Sequence, residues 1–123
     1  MIHEFYMVTP LNIEAAMKAA FEERDQSARL SLIAVDSMLK ERRRRRENSL
    51  PPMRCMCCDF LFDARPPTGF GVVVPAFPDA QPIVVAHGIC LDCLQRDDLE
   101  QALLASLHEL FPGGSFSRVG TLQ

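Results

Sequence analysis

The sequence predicts a small α+β fold in which short strands and a C-terminal helix surround a cysteine cluster, preceded by a long N-terminal helix. Three observations lead there. All five cysteines fall between positions 55 and 93, as Cys55-Met56-Cys57-Cys58 and Cys90-Leu91-Asp92-Cys93, with 31 residues between the two C-x2-C pairs. Residues 11–47 contain neither Gly nor Pro and are dominated by good helix formers. Between the cysteine pairs, β-branched segments alternate with Pro- and Gly-rich breaks, the pattern of short strands joined by turns.

A chain of 123 residues has room for one modest domain with a helical appendage. Trp is absent and Tyr occurs once, so aromatic packing falls to eight Phe. Eight of the nine prolines lie from Pro51 onward, which marks the C-terminal part as turn-rich. No segment approaches the roughly 18 apolar residues of a membrane span. The first residues, Met-Ile-His-Glu-Phe-Tyr, lack the basic and apolar regions of a signal peptide, so a reduced, cytoplasmic setting is expected. Reduced cysteines favour a metal over disulfides, and an odd count of five agrees.

The lead-in holds a short strand at Phe5–Val8, and Thr9-Pro10 reads as a helix start. From Leu11 to about Glu47 apolar residues recur at Ile13, Met17, Ala20 and Phe21, then at Ala28, Leu32, Val35 and Leu39. Steps of three and four place them on one helical face. Six polar residues, Glu22 to Ser27, interrupt the stripe. One helix exposed at that turn, straight or kinked, is the preferred expectation, and two helices bent around Ser27 are the alternative. Such a stripe has no core of its own and needs either the rest of the chain, a protein partner or a second copy.

Arg42, Arg43, Arg44, Arg45 and Arg46 close this helix. They fit a solvated helix end, where cations offset the helix dipole. They also fit a phosphate-binding run, which would make the chain a nucleic-acid-associated or transcription regulator. Charge argues for the first reading. Residues 1–47 carry nine basic against eight acidic residues, whereas residues 48–123 carry four against eight, so most of the remaining surface repels a polyanion.

Asn48 to Arg54, with Pro51-Pro52 at its centre, reads as a stiff linker. Phe60–Phe62, Phe70–Val74 and Ile83–Ala86 read as strands. A helix is expected to open within the second cysteine pair and run to Phe111, buried through Leu94, Leu99, Leu103, Leu107 and Leu110. Pro112-Gly113-Gly114 ends it, and residues 112–123 read as a flexible tail with a short extended piece at Phe116–Val119.

Two C-x2-C pairs at this separation form the spacing of a tetrahedral zinc site, because each tight turn aims two thiolates at one ion. Cys55, Cys58, Cys90 and Cys93 are the expected ligands of one structural Zn2+, with Cys57 and His87 as alternates. The order of knuckle, strand, hairpin and helix-opening second pair resembles the treble-clef class of zinc domains over residues 53–111, with a zinc ribbon as the structural alternative. That resemblance implies that Cys55 and Cys58 form the knuckle pair and Cys90 and Cys93 the helix pair. Residues 1–47, 48–54, 55–111 and 112–123 are then helical segment, linker, zinc domain and tail.

No catalytic residues stand out. A four-cysteine set leaves no open metal position for water, and the general acid/base motif of zinc deaminases is missing. The expected role is a zinc-stapled protein-interaction or adaptor module, not an enzyme, with the helix stripe as contact surface and nucleic acid as the alternative partner.

Overall fold

The computed structural model describes residues 2–75, 84–111 and 115–121. Strand β1 (Ile2–Val8) leads into helices α1 (Ile13–Phe21) and α2 (Gln26–Glu47). After the cysteine knuckle come strands β2 (Gly69–Pro75) and β3 (Val85–Ile89), helices α3 (Leu91–Leu94) and α4 (Leu99–Leu110), and strand β4 (Ser115–Thr121). The four strands form one sheet in the order β3-β2-β1-β4. Three of them run antiparallel in succession, and β4 lies parallel to β1.

Strand register assigns the two faces. Tyr6, Val72 and Ala86 line up across the strands on one face; Met7, Gly71 and His87 line up on the other. Helix α2 packs over β2 and β3 on the first face, with Met38 against Gly88. The knuckle and α3 cover the second face, where Met56 and Leu94 meet Gly71 and Gly69. Adjacent residues Phe5 and Tyr6, and again Val72 and Val73, are therefore both buried. A strand covered on both sides reads as a continuous apolar run, as β2 does with Phe70-Gly71-Val72-Val73.

The larger of two buried clusters among the described residues joins the parts. Val35 and Met38 of α2 lie in the same buried cluster as Cys55, Phe62, Ile89, Cys93, Leu103 and Leu107. The stripe expected as a partner surface is thus divided. Val35 is buried, Leu32 and Leu39 pack against the core, while Met17 and Phe21 of α1 face outward.

The expected single helix over residues 11–47 is two helices broken at residues 22–25. Arg24 takes a left-handed backbone (φ 54°), and the Asp25 side chain caps α2 by accepting the Ala28 N–H at 3.2 Å. The polar run offers no apolar side chain to bury, so bending there exposes nothing. It also lets Ala19 and Ala20 of α1 pack on Ala28 of α2.

Four further expectations are corrected. The strand at Phe60–Phe62 shrinks to one bridge, Arg54 with Leu61, which closes the knuckle as a miniature hairpin. The helix expected to run unbroken to Phe111 is interrupted at residues 95–98, where Arg96 clamps Asp98 through two contacts of 2.9 Å. The extended piece foreseen within the tail is the seven-residue strand β4, paired along β1. The strand expected at Ile83–Ala86 overlaps β3 only at Val85 and Ala86, Val84 lying before the strand and β3 running on to Ile89; Ile83 lies outside the described residues.

Candidate metal centre

Local backbone geometry brings the sulfurs together. On the knuckle, Cys55 N–H donates to the Phe60 carbonyl and Phe62 N–H to the Met53 carbonyl, both at 2.8 Å, which folds Cys55 and Cys58 onto one tight turn. Met56 N–H donates to the Gly88 carbonyl at 2.9 Å and fixes that turn against β3. Cys90 follows β3 directly and is the N-cap of α3; Cys93 lies within α3 and is buried. Leu94 N–H donates to the Cys90 carbonyl at 3.0 Å, so a helical turn sets the spacing of the second pair.

The Sγ atoms of Cys55, Cys58, Cys90 and Cys93 all lie within 4.8 Å of one another, and Cys58 and Cys90 are 3.6 Å apart. A tetrahedron of sulfurs about 2.3 Å from one ion has edges of about 3.8 Å, so the cluster has the dimensions of a four-sulfur metal site. Backbone donors already face the sulfurs. Cys57 and Cys90 N–H groups both point at Cys55 Sγ, and Phe60 N–H at Cys58 Sγ, each at 3.4 Å. Such donors stabilise sulfur as thiolate, the form that binds metal. Cys55, Cys90 and Cys93 are buried, and Cys58 faces solvent.

The thiols differ in acidity for identifiable reasons. The Cys57 thiol hydrogen-bonds to Cys55 and, with the backbone N–H groups of Cys90 and Cys57, holds the Cys55 thiol well below its usual range, to about 4. The same contact, together with burial, pushes Cys57 up. Burial leads the upward push on Cys58 and on Cys93. Once Cys55 carries a negative charge, its neighbours resist losing their protons; a divalent cation removes that resistance. The donor set is all sulfur and suits a soft or borderline ion.

The alternates lie outside the four-residue set. Cys57 is half-buried beside Cys55, on the wall of an open cleft of about 610 Å³ that His87 and Glu109 also line. His87 Nε2 is buried with no hydrogen-bond partner among the described residues, and burial lowers the ring's pKa. The half-buried ring packs edge-on to Phe111 at 6.5 Å.

The arginine run is largely engaged within the chain. Glu41 accepts from Arg44 at 2.7 and 2.9 Å and from Arg45 at 3.0 Å. These two arginines, Arg44 foremost, hold the Glu41 carboxyl down to about 2. Arg45 also donates to the Pro51 carbonyl at 3.2 Å, Arg42 donates to the Asp63 carbonyl at 2.7 Å, and Arg46 lies 3.5 Å from the Asp63 carboxylate. The end of α2 is thereby tied to the linker and to the segment after the knuckle. Asp63 is the residue sequence reasoning missed, since a lone acid in a turn carries no local mark of a partner 17–21 residues upstream.

Comparisons with family models, with curated proteins and with solved structures give no match for this chain. Among the described residues, no helix is long and apolar enough to cross a membrane.

Proposed function

We propose that this chain is a zinc-stapled protein-interaction module in which Cys55, Cys58, Cys90 and Cys93 hold one structural Zn2+. The observation that carries the reading is the convergence of four sulfurs within 4.8 Å, three of them buried, with backbone N–H groups already directed at two of them. Four cysteines complete a tetrahedron and leave no position for a reacting water, which supports structure over catalysis. A treble-clef arrangement is supported by the knuckle, the β2–β3 strand pair and the placement of Cys90 and Cys93 at the start of α3. The need for reduced thiols supports a reducing setting such as the cytoplasm.

The test is metal analysis of reduced protein together with single substitutions. One zinc per chain is expected, and a chelator should abolish cooperative unfolding, because the binding energy of structural zinc is folding energy. Cys58→Ser and Cys93→Ser should lose the metal, whereas Cys57→Ser should keep it. Metal-free reduced protein with an intact cooperative transition would sink the proposal. Equal damage from Cys57→Ser would show that the ligand set is wrong.

The nucleic-acid alternative rests on the arginine run. What supports a clamp instead is that Arg42, Arg44, Arg45 and Arg46 all have partners within the chain. Replacing all five arginines by Gln should leave oligonucleotide binding negligible, as in the parent. Submicromolar binding by the parent that falls steeply with salt and vanishes in the variant would reverse this choice.

A further inference from the structure

The outer face of the α1–α2 pair carries apolar side chains that the fold does not use. Phe21 is 72% exposed, Ile33 59% and Met17 47%. Phe21 stands on the shared wall of two grooves. One, of about 270 Å³, lies between the helices and includes Ala20, Leu32 and Ile33. The other, of about 310 Å³, runs along α1 past Met17. Since an apolar cavity of about 150 Å³ already holds benzene, the first groove has room for a phenyl ring.

We infer that this face pairs with a second copy of the chain about a two-fold axis, each Phe21 entering the other copy's groove beside Ile33. The inference rests on the interaction-module reading and names its partner. A projecting ring directly beside a groove that can receive a ring is the self-complementary arrangement an isologous contact requires. The charges around the grooves agree. Glu14 and Glu22 accompany Lys18 along α1, and Arg29 and Asp36 border the groove between the helices. Both signs on one surface let a rotated copy meet opposite charges. A polyanion or an anionic lipid surface would instead call for a basic rim.

The break at residues 22–25 is what creates the face. A continuous helix would carry Phe21 away from Ile33; the bend sets both beside the same groove. Burying aromatic and branched side chains at the centre with charges at the edge is the usual anatomy of a stable contact.

Sedimentation equilibrium of the metal-loaded protein across micromolar concentrations tests the inference, with zinc content measured on the same samples. A dimer is expected for the parent. Phe21→Lys and Ile33→Lys, both at exposed positions, should each give a monomer that keeps its zinc and its circular dichroism. A monomeric parent overturns the pairing and leaves the face to a different protein. A dimer that persists in both variants places the contact elsewhere, and assembly beyond the dimer excludes the two-fold arrangement. In each of these cases the zinc measurement stands apart, so loss of the inference and loss of the metal reading are separate results.

Discussion

Gly88 sits where three parts of the protein converge. A Cβ there would lie 2.6 Å from the Phe62 ring, 2.7 Å from the Pro67 ring and 3.0 Å from the Met38 methyl. Two of those neighbours are rings with little freedom to move, and the Gly88 carbonyl simultaneously holds Met56 of the knuckle. Gly88→Ala should therefore destabilise the fold by about 1–3 kcal/mol through overpacking. Urea denaturation of the zinc-loaded variant checks this, and unchanged stability would show that the strand and knuckle can separate freely. The same crowding explains why the strand between His87 and Cys90 carries no side chain at this point.

At the scale of elements, the cap on α2 decides where the long helical stretch bends. Asp25→Ala removes the side-chain acceptor for Ala28 N–H and should cost about 0.5–2 kcal/mol. Denaturation midpoints measure it; no change would mean that the break is held by the α1–α2 contact alone. Sequence exposed some of these elements and hid others for physical reasons. The cysteine spacing was readable because a tight turn and a helical turn are local, so ligand geometry is written in neighbouring residues. Strand β2 was readable because both its faces are buried and its composition shows it. The bend at residues 22–25 was only half readable: the polar run from Glu22 to Ser27 allowed two helices, but the contact of Ala19 and Ala20 with Ala28 that favours them over one helix forms only after folding. The clamp from Arg42 and Arg46 to Asp63 was hidden likewise: a run of five charges looks solvated until its distant partner is in place.

At the scale of the molecule, β1 occupies an inner position in the sheet, between β2 and β4. Its register with β4 joins Ile2 to Ser115 and Met7 to Thr121, contacts that span most of the chain. During synthesis β1 emerges before both of its neighbours, so one of its edges must wait for β2 and the other for a strand more than a hundred residues downstream. Contacts of such separation are slow to form, and an open strand edge meanwhile can pair with another molecule. Ending the chain after Phe111 should therefore yield protein that aggregates on refolding even with zinc and reductant supplied, which light scattering would record. A truncated chain that stays monodisperse, with parental stability, would mean that β1 is protected by other means. If the aggregation is seen, the vulnerable period in the life of this protein is its birth, when a strand has been made and its neighbour has not.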